Sequence, residues 1–316
     1  MLRKAHDMVA HGLDKARYEH LKILFAINDK DAENKPDVME FRRLFTEIIQ
    51  KICNADVPEQ IQSIFKDFES IAIPKEENDI RPIGLQIIYR KIAGSVMQMA
   101  TKQFNEEYFK GLQYCNTPNG AETIIHSVRM AIGQFDCFLL DGENAFNNGI
   151  RMQGLLNVKQ NFPAILPFLR MIYGTSSNAW YFGLDERIES FQSNEGAQQG
   201  CVNAMWFYSM TIHPFLQGLH NILGREGFVK FYADDGNLVT SYEKMRECID
   251  YIMREGEKIG FSLNMKKGSY LMAKCENNRI AKERKTELIN MGLHEDIIKL
   301  HPENDVVMQL IMEGNY

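Results

Sequence analysis

Three acids stand where apolar strands stop. Phe231 and Tyr232 lead into Asp234 and Asp235 in FYADDGNLVT, and Phe138, Leu139 and Leu140 lead into Asp141 in LLDGEN. Adjacent carboxylates raise each other's pKa unless a cation or hydrogen bonds offset their repulsion. Taken singly, each acid is what turn chemistry favours, since Asp-Gly pairs close hairpins and Asp caps chain turns. Taken together they say more. A strand end and a hairpin turn lying side by side would gather three carboxylates, and the chemistry that needs such a gathering is two-metal phosphoryl transfer. Mg²⁺ demands hard oxygen ligands and takes them from a few carboxylates plus substrate phosphates. Two ions held ~4 Å apart stabilise both the attacking and the leaving oxygen.

The elements that must position these acids are legible from period and punctuation. Apolar residues recur at three- and four-residue steps through the first ~70 positions (Leu21, Leu24, Phe25; Phe41, Leu44, Phe45, Ile48, Ile49), which reads as helix. A short strand at Ile71 to Ile73, a charged loop from Lys75 to Asp79 and a return through Ile80 to Ile83 follow. Helices are expected over 84–110, 119–132, 149–161, 164–173, 202–223 and 243–258, and a buried strand over Cys137 to Leu140. Hairpins are expected to turn at Asp185-Glu186 and within 228–240, and FSLNMKKGSYLMA has strand character. The segment 280–316 is partly helical and has no evident place. Strands mixed with helices, several of them hairpin-joined, predict an α+β fold and not a doubly wound parallel sheet.

The composition is that of an ordinary globular protein. The 316 residues are 45% hydrophobic and 25% charged, enough for a sizeable core. Six scattered cysteines with no CxxC pair and no Cys/His cluster predict reduced thiols, not a disulfide framework or zinc site. No apolar run approaches the ~20 residues that cross a bilayer, so the chain is expected to be soluble and intracellular, in cytoplasm or nucleus, with no membrane partner. The net charge of −6 counts mildly against a nucleic-acid binder. It conceals an uneven distribution: Lys258, Lys266, Lys267, Lys274, Arg279, Lys282, Arg284 and Lys285 face only Glu276 and Glu283 over 258–285.

In order along residues 71–275, the chain resembles reverse transcriptases of non-LTR retroelement type. PKEENDIRPIG is similar to the motif whose Lys and Arg grip the incoming triphosphate, which places those roles on Lys75 and Arg81. QYCNTPNGAETIIHSVR resembles the Gly-Ala-Glu helix leading from fingers into palm. LLDGENAFN matches an Asp followed five residues later by an aromatic, Asp141 and Phe146. NEGAQQGC resembles the Gln-Gly motif of the nucleotide pocket, at Gln199 and Gly200. YADD matches the Tyr-x-Asp-Asp hairpin, and GFSLNMKKG the motif with a Gly and a Lys near the pyrophosphate, best at Lys267 with Lys266 close behind.

The resemblance implies a right-hand polymerase fold with helical fingers (1–134), an antiparallel-sheet palm (135–275) and a tail or partial thumb (276–316), the thumb short or missing. It implies RNA-dependent DNA synthesis from dNTPs on an RNA template with a DNA primer. The cofactors would be two Mg²⁺ ions, with Mn²⁺ as substitute, held by Asp141, Asp234 and Asp235. Phe146 would exclude a 2′-hydroxyl, Gln199 and Gly200 would line the pocket, and Lys267 would protonate the leaving pyrophosphate. One departure stands out: the pattern commonly continues after Gln-Gly with Asp, and here it is Cys201. An RNA-dependent RNA polymerase would share the palm and metals but more usually shows Gly-Asp-Asp and a polar residue near the sugar. A non-catalytic RNA-binding relic would have no need of all three acids.

Overall fold

A computed structural model describes residues 10–26, 35–76, 79–183, 187–265 and 267–301. Lys266, the hairpin tip at Asp185-Glu186, and the segment after 301 lie outside these residues. Among the described residues nine strands, several in consecutive pairs, are interspersed with helices: β1 (Phe68–Glu76), β2 (Asp79–Leu85), β3 (Asp136–Leu140), β4 (Ser177–Phe182), β5 (Ile188–Ser193), β6 (Gly227–Tyr232), β7 (Asp235–Thr240), β8 (Ser269–Leu271) and β9 (Ile298–Lys299). The fold class is α+β. No described helix is long and apolar enough to cross a membrane.

The chain divides into two compact units that interleave along the sequence. The first takes residues 1–102 and 154–207, the second 103–153 and 208–316.

In the first unit the sheet order is β2-β1-β4-β5. β1 and β2 form the expected hairpin, longer than the periodicity suggested, with a bulge between Pro74 and Glu76. β4 joins β1 in parallel. Asp67, just before β1, ties the two together: its carboxylate accepts from the Asn178 backbone N–H and side-chain amide, both at 2.9 Å. The helix Ile88–Tyr108 starts on a cap supplied from far away in sequence, since Asp14 Oδ2 accepts the Ile88 N–H at 2.8 Å.

In the second unit the order is β6-β7-β3-β8-β9, antiparallel except for β8 with β9. The helix Gly120–Ala131 buries Ile124, Val128 and Ala131 at four- and three-residue steps, with Glu122 in its first turn and Arg129 in its last, as the macrodipole favours. That stripe packs on Cys137, Val239 and Leu271 of the sheet. Burial of the Ile, Val and Leu side chains among them stabilises by roughly 1.5–3 kcal/mol each. The helix Tyr242–Glu255 follows the same logic, burying Met245, Cys248, Ile249 and Ile252.

Two expectations change. Among the described residues FSLNMKKGSYLMA is strand only at Ser269–Leu271, with a single bridge from Leu263 to Gly142. The described part of the segment after 280 has a place: the helix Asn278–Asn290, capped by Asn277 accepting the Ile280 N–H, leads to β9, which pairs with β8.

Candidate active site

The strand register delivers the three acids to one end of the second sheet. β3 pairs with β7 from Asp136↔Thr240 to Leu140↔Gly236, so the next step sets Asp141 opposite Asp235. β6 pairs with β7 through Tyr232↔Asp235, which leaves Ala233 and Asp234 as the turn. Facing residues of an antiparallel pair have Cβ atoms ~4.5–5.5 Å apart. Convergence of Asp141, Asp234 and Asp235 is therefore a property of the backbone.

Their charges feel one another. Burial first, then the carboxylates of Asp234 and Asp141, raise the Asp235 pKa from the ordinary carboxylate range to about 7. Coulomb coupling reaches further than a coordination sphere, however. Among the described residues no three His, Cys, Asp or Glu side chains already enclose a point where an ion would sit. The register positions the donors, and side-chain rotation must complete the shell. As a donor set, three hard carboxylates at one sheet end fit a divalent cation.

A cation held by Asp235 would have to displace the proton of its carboxyl. Apparent Mn²⁺ affinity is expected to rise about tenfold per pH unit up to about 7 and then level off. The sign for stability is opposite: the fold favours the neutral carboxyl, so that stabilising contribution is lost as pH rises through about 7. Mn²⁺ titrations between pH 5.5 and 8 check this, and a flat profile contradicts it.

Phe146 lies half-buried on the short helix Ala145–Asn148. Its ring stacks on Tyr208, centroids 4.6 Å apart and 21° between planes. Tyr208 is buried, its hydroxyl has no hydrogen-bond partner in the protein, and burial holds its pKa well above the usual value, with Asp234 and Asp235 adding to the effect. The phenol therefore stays neutral.

Lys267 also comes to this end of the sheet. Residues 262–264 run beside 141–143: Asn264 N–H donates to the Asp141 carbonyl at 2.8 Å, and Glu143 N–H to the Ser262 carbonyl at 2.8 Å. Lys267 N–H then closes a turn onto the Asn264 carbonyl, and its side chain is exposed. The basic run around it is less of a patch than its sequence suggests. Lys258 pairs with Glu255, Arg279 with Glu283, Arg284 with Glu243 and Lys285 with Glu295.

The remaining candidates belong to the first unit. Arg81 on β2 faces Ile73, Lys75 falls in the bulge at the far end of β1, and both side chains are exposed. The Gln-Gly turn docks on the same strand, the Gln199 carbonyl accepting the Gly84 N–H at 2.7 Å. Gly200 has φ +89°, and a Cβ there would lie 2.8 Å from the Gly84 carbonyl oxygen and 2.9 Å from Ile83 Cγ2. Backbone cannot retreat as a flexible side chain can. Gly200→Ala is expected to cost ~1–3 kcal/mol, read by urea unfolding.

Behind the turn, buried Arg90 donates to Gln198 Oε1 at 2.7 Å, to Cys201 Sγ at 3.3 Å and to the Lys66 carbonyl at 3.1 Å. So the Cys201 that departs from the motif sits against a buried guanidinium. Arg90, Gln198 and Tyr208 were missed by sequence reading. Gln198 alone left a signal, as the neighbour of Gln199 inside NEGAQQGC.

The comparisons with known proteins agree in kind. The family described as reverse transcriptase (RNA-dependent DNA polymerase) matches residues 73–294. The retrotransposable element SLACS 132 kDa protein of Trypanosoma brucei gambiense is 21% identical over 227 residues, 71% of this chain. The matched part is 19% of that relative, so this chain spans about a fifth of its length. Among solved structures, apo telomerase from Candida tropicalis superposes with TM-score 0.54 at 11% identity, over 67% of this chain and 44% of the other. Telomerase from Candida albicans, in complex with a fragment of telomeric RNA, gives 0.51 at 13% identity over 68% and 44%. At such identities the likeness is one of fold, the mixed α+β fold of right-hand polymerases.

Proposed function

This chain belongs to the reverse transcriptase (RNA-dependent DNA polymerase) family, and we propose that it adds deoxynucleotides to a DNA primer by copying an RNA template. The observation that carries this reading is the strand register that sets Asp141, Asp234 and Asp235 at one end of one sheet, inside the matched residues. Members of the family use divalent metal ions. We assign two Mg²⁺ ions, with Mn²⁺ as substitute, to these three carboxylates. When bound, such ions supply Lewis-acid activation of the primer 3′-hydroxyl and neutralise charge on the α-phosphate.

The chain's own residues do the rest. Lys75 and Arg81 hold the triphosphate, Arg through its planar fork and Lys as a point charge. Gln199 and Gly200 present backbone and a small surface to the nucleotide. Phe146 excludes a 2′-hydroxyl. As the 3′-oxygen gives up its proton to solvent and bonds to the α-phosphorus, the bond to pyrophosphate breaks and Lys267 delivers a proton to the departing oxygen. By role, fingers functions fall to residues 1–134 and palm functions to 135–275, although the compact units interleave. RNA template, DNA primer and dNTPs are the partners this chemistry requires.

Primer extension by the purified chain on an RNA template with Mg²⁺ tests the reading. Incorporation of dNTPs in preference to NTPs is the expected result. Incorporation of NTPs alone would point to RNA-dependent RNA synthesis, and no incorporation to a non-catalytic RNA binder.

A further inference from the structure

Between Tyr232 and Asp235 the chain does something an alanine resists. Ala233 is buried and has φ +58°, in the left-handed region that L side chains rarely adopt. Such a conformation persists only where its surroundings over-determine it. Here the Cys115 thiol lies within hydrogen-bonding reach of the Ala233 backbone, but one side chain, 120 residues away in sequence, meets both of its peptide groups. The Ala233 N–H donates to Gln113 Oε1 at 2.9 Å, and Gln113 Nε2 donates to the Ala233 carbonyl at 3.1 Å. Gln113 is 1% exposed, so neither bond competes with water.

The main chain of Gln113 is fixed as well. Residues 112–114 lie along the free edge of β6: the Tyr114 N–H donates to the Phe231 carbonyl at 2.7 Å, and the Phe231 N–H to the Leu112 carbonyl at 2.8 Å. Segment and side chain together hold both backbone groups of Ala233 against a rigid sheet edge.

We propose that Gln113 is a positioning residue for nucleotide addition: its carboxamide grips the Ala233 peptide groups at both ends and thereby fixes the direction in which Asp234 leaves the turn. Only a carboxamide offers one donor and one acceptor in this planar arrangement. Asn is one methylene shorter, a carboxylate lacks the donor, and an apolar chain leaves two buried backbone groups unpaired. Because Asp234 directly follows Ala233, rotation about the Ala233 backbone swings its carboxylate, and misplacement by ~1 Å costs ~100-fold in rate.

The proposal rests on reading the 234–235 turn as the site of nucleotide addition, and the test separates the two. The full chain is assayed for primer extension with Mg²⁺ beside Gln113→Met, which conserves length and volume but removes both hydrogen bonds. Expected is a kcat ~30–100-fold below the parent's with the KM for dNTP within about threefold, since Gln113 touches the turn and not the nucleotide. Adding Ala233→Gly, for which a positive φ carries no strain, is expected to restore at least ~10-fold of the loss.

A parent chain that extends no primer overturns the functional reading and this proposal with it. An active parent matched by Gln113→Met, or a double variant no faster than the single, overturns the proposal alone. Should Gln113→Met not fold, hydrogen exchange of the parent decides. A protected Ala233 amide supports the grip, and one exchanging at the rate of an open turn overturns it.

Discussion

Asp234→Asn is expected to lower dNTP incorporation on a primed RNA template on the order of a thousandfold or more, while RNA affinity stays within about threefold. Loss of a charged metal ligand removes several kcal/mol of transition-state stabilisation, and each 1.36 kcal/mol is a tenfold change in rate. Binding responds differently. An RNA template would be held mainly by phosphate contacts from Lys and Arg, and Asp234 would supply none. The substitution is nearly isosteric and leaves the Ala233 turn and its Gln113 bonds in place. It also removes one of the charges that raise Asp235, so the metal-free variant should unfold at no lower temperature than the parent at pH 8. Extension assays and RNA titrations on the same preparation check both halves. Synthesis retained within tenfold of the parent would falsify the metal-ligand role.

Phe146→Ala is expected to erode the preference for dNTP over NTP by ~10–200-fold, the range a 1–3 kcal/mol steric term allows. The ring is half-buried, so part of it remains accessible, while Tyr208 stacks on it at 4.6 Å and keeps it from yielding. Tyr208 is itself buried and neutral, which makes the pair a stiff apolar wall. Alanine leaves a gap where a 2′-hydroxyl fits. Phe146→Tyr keeps the ring and should keep the preference. Single-nucleotide incorporation of matched dNTP and NTP gives the two kcat/KM values. If the alanine variant discriminates as well as the parent does, Phe146 is a core aromatic and no gate.

Both experiments draw on features that differ in how visible they were before the fold was known. The Asp-Asp-Gly turn, the acid ending β3 and the amphipathic helices could be read directly, because turns, strands and helix faces are written in residues a few positions apart. The resemblance to reverse transcriptases added order to those local signals. What remained hidden shares a single cause. Asp14 capping a helix 74 residues on, Gln113 gripping Ala233 and Arg90 meeting Gln198 and Cys201 are each one partner of a long-range hydrogen bond. Asp, Gln and Arg are common types whose spacing says nothing of which remote backbone they satisfy.

The same holds for the interleaved units and for β9. Residues 154–207 belong with 1–102 because β4 pairs with β1, and Ile298 finds Tyr270 through pairing that no local pattern encodes. Sequence alone thus determined that carboxylates stand at strand ends, since residue type and local geometry suffice to place them there. Tertiary structure alone decided which buried polar group each orphaned donor or acceptor meets. That choice is made by packing, and packing depends on the whole chain at once.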